Sequence, residues 1–422
     1  MVRSRVGVVG TLPLLLLSGR ALGQANYQNY LVGERAAAMG GAYTALADDA
    51  SGAYYNPAGT AFSAGSSISA SANLYGYVTT TQQDALGAGR DVSSRGFNPI
   101  PSSVGSLFKV GEATPYGKPL TLGFQVFAPN SFTRDTELLT TDAAGRDLAL
   151  SERINWNVMY LGPTAAYRLT EGLSIGTGAY LQYASYSFRQ ASLGADTGGT
   201  AAQRWRLWEL DAFGLAGNLG VNYREGLWHL GASVWSPTLE LSGESSRTQY
   251  CTAIANGPCA ASSVSSKLSE RGKARFLEPL RGTVGVALAR PREFAVAVDV
   301  SVYAPVAFDL VDLAGTPHID NHLTVNTNVG GELYVTRKIP LRLGFWTNLS
   351  ANREPSVSNP NNRIEAIDFY GISAGSGYLS DKGATTVGLN YAFGNGSVLR
   401  DTAITKTSGQ MLLFLLATSY TF

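Results

Sequence analysis

Charge is scarce in this chain. Only 15% of its 422 residues are Asp, Glu, Lys or Arg, against about a quarter in an ordinary soluble domain. The formal net charge is +1, so the clustered basic excess that a phosphate backbone requires is missing and nucleic acid is excluded as a partner. Histidine is limited to His229, His318 and His322, and cysteine to Cys251 and Cys259. His318 and His322 lie four residues apart but flank a loop and a strand start, with Asp320 between them. No metal site and no cofactor are expected. Long apolar runs are absent too: beyond residue 25 the most apolar stretch, Met411–Ala417, is strand-length, far short of the ~20 residues of a spanning helix. Any membrane insertion must then use a closed β-barrel, the other structure that satisfies every backbone group in lipid.

What the chain does have is 48 glycines, 21 tyrosines and 45% hydrophobic residues, a composition suited to strands whose outer face does not meet water. The N-terminus reads as a secretory signal peptide over residues 1–25. Arg3 and Arg5 form the basic region and Val6–Leu17 the apolar core, and cleavage is expected after Gly23 or after Ala25. In the oxidising compartment this implies, Cys251 and Cys259 are expected to pair and staple a hairpin loop, with two free thiols as the alternative.

Residues 33–62, GERAAAMGGAYTALADDASGAYYNPAGTAF, are rich in Ala and Gly and poor in strand formers. Small side chains bury little area but let a segment pass close to other backbones. Residues 26–65 are therefore read as a small, partly helical hatch inside a barrel built from residues 66–422. Its removal is expected to leave a barrel that assembles but leaks polar solutes.

Fourteen strand candidates come after the hatch, among them 120–128, 227–243 and 267–289. Several alternate at period two. Phe294, Val296, Val298, Val300 and Val302 oppose Ala295, Ala297, Asp299, Ser301 and Tyr303, the apolar-out pattern of a transmembrane strand. The connections alternate long and short: 79–101, 129–152, 190–204, 244–266, 310–320, 351–365 and 395–409 against turns such as Thr170-Glu171-Gly172 and Arg290-Pro291-Arg292. Outer-membrane barrels show this parity. The fold class is all-β, a transmembrane antiparallel barrel. The last strand places Leu412, Phe414, Leu416, Thr418, Tyr420 and Phe422 on one face. A terminal strand ending on Phe resembles the signal by which such barrels are recognised for insertion.

Two motifs invite other readings. Gly371-Ile372-Ser373-Ala374-Gly375 fits the esterase pattern GxSxG, but Ser373 lies in a strand and no His follows it, so the strand–turn–helix elbow and its base are missing. No enzyme is expected, and an outer-membrane lipid hydrolase is set aside. Gly214, Gly217 and Gly220 are spaced as a sheet face approaching the hatch rather than as a phosphate loop.

The stretches Met39-Gly40-Gly41-Ala42, Ala47-Asp48-Asp49-Ala50-Ser51 and Asn56-Pro57-Ala58-Gly59 resemble the hatch of the FadL-type outer-membrane transporters. These import long-chain fatty acids and, in some members, aromatic hydrocarbons. Leu122-Gly123-Phe124, Ala166-Tyr167-Arg168-Leu169 and Pro340-Leu341-Arg342-Leu343-Gly344 extend the likeness along the chain. The resemblance implies a fourteen-stranded barrel with a hatch and a hydrophobic ligand in the lumen. Passage is then passive and sideways into outer-membrane lipid, and the barrel is expected to work as a monomer. It assigns Gly40, Gly41, Asn56, Pro57 and Ala58 to hatch structure and gating, and marks Gly123 and Pro129 on the third strand as a candidate lateral opening. Arg342 and Trp346 point inward as candidate contacts for a ligand head group and chain; alternatively Arg342 pairs with a carboxylate such as Asp48, Asp49 or Asp299. Fatty acids are the expected cargo, with aromatic hydrocarbons or a non-conducting surface barrel as alternatives.

Overall fold

A computed structural model describes residues 26–422 apart from 113, 116, 118, 142–146, 196–200, 256–264, 314, 315, 317, 358–364, 401 and 402. The signal-peptide expectation and Cys259 lie outside the described residues. Cys251 is described and is disulfide-bonded.

The strands run in chain order as β1 (Ser67–Gln82), β2 (Val92–Val110), β3 (Leu120–Thr141), β4 (Asp147–Arg168), β5 (Leu173–Ala195), β6 (Ala201–Glu225), β7 (Trp228–Trp235), β8 (Leu239–Ala255) and β9 (Ser265–Lys273). They continue as β10 (Arg281–Arg290), β11 (Phe294–Tyr303), β12 (Val306–Asp309), β13 (His318–Asn321), β14 (Thr324–Thr336), β15 (Ile339–Asn348), β16 (Ala366–Leu379), β17 (Gly383–Arg400) and β18 (Ala403–Thr421). β12 and β13 form a separate hairpin, while β7 with β8, and β9 with β10, are single staves broken in the middle. Fourteen antiparallel staves result, and β1 pairs with β18 to close the ring. Closure leaves no sheet edge, as lipid demands.

The period-two pattern decides which side chains face out. Val296, Val284, Leu219 and Leu343 are more than half exposed, as are Ile372, Val387 and Phe422. An apolar surface this extensive makes sense only against lipid. Among their alternating neighbours, Ala295, Ala297, Asp299 and Thr386 are buried inward.

The strands outrun the alternation that announces them. β3 through β6 span 22 to 25 residues each, whereas a tilted strand crosses the hydrocarbon in ~9–11. Much of each long connection is thus strand rather than loop: above the membrane, polar residues extend the same ladder without apolar alternation to mark it. The stretches 227–243 and 267–289, expected as continuous strands, are interrupted at residues 236–238 and 274–280. Pro237 and Pro279 sit in the two gaps, and neither can donate to a ladder.

Candidate functional site

The hatch fills one end of the lumen. It comprises α1 (Glu34–Ala38), α2 (Gly52–Tyr55) and a 3-10 turn over Pro57–Phe62. Ten of its alanines are at most 2% exposed. Irregular backbone enclosed in this way needs partners, and the inward polar side chains of the wall supply them. Asn328 donates to the Gly40 carbonyl at 2.6 Å, Asn222 to Ala45 at 3.0 Å, Asn218 to Ala53 at 2.8 Å and Ser174 to Ala58 at 2.7 Å. Asp299 accepts from the backbone N–H groups of Tyr43 and Thr44, at 2.8 and 2.7 Å. Ser373, centre of the esterase-like pattern, donates to the Ala38 carbonyl at 3.1 Å and holds the hatch.

Gly40 and Gly41 occupy the left-handed region, at φ 65° and 79°, which a side chain rarely adopts. Gly40 also lies against wall backbone: a methyl group there would come within 2.9 Å of the Phe345 nitrogen. Asn56 is extended (φ −158°), as a residue before proline prefers. Its side chain accepts from Ala58 N–H at 3.1 Å and donates to the carbonyls of Thr44 and Val221 at 3.0 and 2.9 Å. Pro57 opens the 3-10 turn, where its missing N–H costs nothing.

Of the glycines expected to face the hatch, Gly220 meets Asn56 and Pro57. Gly214 faces inward but onto Thr238 and Gln182, and Gly217 faces out. A spacing of three switches faces on a strand, so the trio cannot form one surface. The wall glycines that make room for the hatch also include Gly176, Gly231, Gly330 and Gly344.

Arg342 and Trp346 point inward, yet neither lines open lumen. Arg342 is 3% exposed and donates to Glu332 at 2.7 Å and Thr386 at 3.0 Å. Its carboxylate partner is thus Glu332, its cross-strand neighbour on β14, and none of the three expected aspartates. Asp48 pairs with Arg35 and Arg224, Asp49 caps Ser51, and Asp299 holds hatch N–H groups. Arg35 joins Asp48 to Glu332 at 3.2 and 2.8 Å. Trp346 packs on Tyr30, Leu31 and Ala37 of the hatch segment. Both residues belong to the hatch seat.

The third strand is interrupted, at a different place from that expected. Gly123 pairs on both sides, with Leu107 and with Thr164. Between the pairs Ser103–Phe127 and Arg95–Asp135, however, β2 and β3 form no ladder, and the β3–β4 register slips between Phe127 and Asn130. The Pro129 carbonyl turns inward to accept from the N–H groups of Asn29 and Tyr30, both at 3.0 Å. The N-terminal segment thus serves as a substitute partner behind a break in the wall.

Composition offered no hint of the main lumen feature, a column of aromatic side chains. Tyr54, Phe127, Tyr160, Tyr180 and Trp235 cluster directly on the hatch, with ring centroids 5.2 to 5.8 Å apart for Tyr180–Trp235, Phe127–Tyr180, Tyr54–Phe127, Phe127–Tyr160 and Tyr54–Trp235. Towards the far end the same apolar cluster continues through Trp156, Phe276, Tyr186 and Trp208. Phe276 comes from the break between β9 and β10, which bends the wall inward to meet Trp156 at 5.0 Å. A cavity of ≈ 110 Å³ lined by Tyr186, Phe188, Trp208 and Arg206 lies at this end. The guanidinium of Arg281, at the other lip of the break, stands 4.8 Å over the Tyr54 ring and 4.9 Å over Trp235. The signal was there in the sequence: Trp156 and Tyr160, Tyr180 and Tyr186, and Trp208 all fall on inward parity, facing a lumen otherwise lined with small or polar residues.

A family model described as outer membrane protein transport protein (OMPP1/FadL/TodX) matches residues 18–258, more than half of the chain. The toluene transporter TodX of Pseudomonas putida is similar in structure, with 16% identity and a TM-score of 0.64 over 92% of this chain and 98% of that one. A Pseudomonas aeruginosa FadL homologue shares 13% identity and a TM-score of 0.65 over 95% and 100%. The CymD monoaromatic hydrocarbon channel shares 17% identity and a TM-score of 0.60 over 94% and 99%. No curated protein matches the chain by sequence.

Proposed function

This chain belongs to the OMPP1/FadL/TodX family of outer membrane transport proteins, and from that premise we propose that it is a passive uptake channel for small aromatic hydrocarbons. The observation that carries the reading is the aromatic column, which runs from the far end of the lumen to the hatch. An apolar ring gains by leaving water for such a surface and by edge or offset stacking on each successive side chain. It then stops at the hatch, whose backbone is fully engaged by the wall.

The route onward is sideways, through the break between β2 and β3 behind Asn29 and Tyr30, into the lipid. Partition into hydrocarbon supplies the driving force, so no nucleotide, metal or cofactor enters the scheme. The printed descriptions of TodX and CymD, a toluene transporter and a monoaromatic hydrocarbon channel, support this ligand class. A long-chain fatty acid is the second reading, favoured by one observation. Arg281 presents a cation inside the aromatic cluster, where a carboxylate head could meet it.

Uptake of radiolabelled toluene and of radiolabelled oleate by cells with and without this barrel tests the two readings. Toluene uptake that depends on the barrel, with oleate unchanged, is the expected result. The reverse selects the fatty acid, and no dependence for either removes the transport reading.

A further inference from the structure

The break between β2 and β3 is crossed on its inner side by two polar rungs. The lower rung is an amide network. Asn29 donates to Asn130 at 2.6 Å, Asn130 to the Asn26 carbonyl at 3.0 Å, and Asn348 to Asn29 at 3.2 Å. It ties β3 to β15 through the N-terminal segment. The upper rung uses wall residues alone. Arg134, last of the β3 residues that lack a β2 partner, reaches 2.7 Å to Glu365, immediately before β16. The other Glu365 oxygen accepts from Thr407 of β18 at 2.6 Å and from Gln82 of β1 at 3.3 Å. Both charged side chains are about nine-tenths buried.

The geometry has a mechanical consequence. In the ring, β2 and β1 lie between β3 and β18, so this ion pair is a chord drawn across the inside of the break. β3 cannot swing away from β2 without stretching it. Breaking a buried pair leaves an uncompensated charge, so the pair holds the upper lip of the break shut. The lipid-side alternative, a continuous ladder, is what β3 forgoes over Ala128–Arg134.

We propose that Arg134 and Glu365 are a latch on the sideways exit: positioning residues that keep the wall closed except while the pair is parted. The proposal rests on the exit route given above, and its test separates the two. Arg95 and Asp135 are registered partners at the upper edge of the break, so an Arg95→Cys/Asp135→Cys variant can be joined by a disulfide. The extent of cross-linking is read in whole cells under a redox buffer, with and without Arg134→Met/Glu365→Met. That double substitution removes both charges together, and heat-modifiable migration confirms that each barrel has assembled.

Cross-linking is expected to fall by about fivefold or more when the latch is removed, the size of a modest conformational coupling, and toluene uptake in the variant without cysteines to rise correspondingly. Equal cross-linking in the two backgrounds overturns the latch even if the disulfide blocks uptake. A disulfide that leaves toluene uptake at the wild-type rate overturns the sideways exit, and the latch with it.

Discussion

Arg342 and Glu332 face each other on β15 and β14 with side chains 3% and 1% exposed, and burial limits what either charge can do. Removing one partner strands the other where water cannot reach it. Arg342→Met is therefore expected to cost about 3 kcal/mol in the guanidinium midpoint of the barrel. Arg342→Met/Glu332→Leu should cost much less, since Arg35 keeps Asp48. An effect confined to ligand uptake would restore Arg342 to the ligand site. Glu34 in α1 is a different case. Burial pushes its carboxyl up to about 7, Asp49 adds to the rise, and Arg342, Ser419 and Arg35 oppose it. Its ordinary value is 4.5, so the seated hatch holds a proton that a released hatch gives up. Seating is favoured below that value and weakens as pH rises from there through about 7. Protease nicking of the hatch should increase between pH 5 and pH 8, and Glu34→Gln should flatten the profile.

At the scale of elements, the hatch and the wall are built for each other. Wall asparagines and serines hold hatch carbonyls, and wall glycines admit its backbone. Deleting residues 33–62 leaves those wall groups facing water, which solvates them, while the ladders that close the barrel are untouched. The deleted barrel is expected to assemble and to admit small sugars in a proteoliposome swelling assay; failure to assemble would make the segment a core element instead. Gly344→Val should have the milder version of this effect, because its side chain would overlap Gly40. The pattern of strands and turns was readable from alternation and from the parity of connections. The interruptions were not. Pro237 and Pro279 stood in plain view, but a proline at a wall break and one at a strand edge look alike until the neighbouring strand is known.

At the scale of the whole molecule, transport depends on the column and the break acting in series. Trp235 touches Tyr54, Phe127, Tyr160 and Tyr180, so Trp235→Ala should lower toluene uptake about tenfold, given ~1 kcal/mol or more for each aromatic pair it takes away. Trp346→Ala should lower it far less while loosening the hatch. Equal effects of the two substitutions would mean that the column is a structural core and not a path.

The sequence alone determined the features that obey local rules. Period two placed Val296 outside and Asp299 inside, loop parity set the number of staves, and Asn56-Pro57 and the paired glycines marked the hatch. Tertiary structure decided everything that required knowing which residues meet across the lumen. It gave Arg342 to Glu332 and let Gly220 but not Gly217 touch the hatch. It moved the break from Gly123 to Ala128–Arg134, and it gathered aromatics from five strands into one column. The reason is geometric. Alternation along a strand states which face a side chain takes, and closure of the ring alone states what stands opposite it.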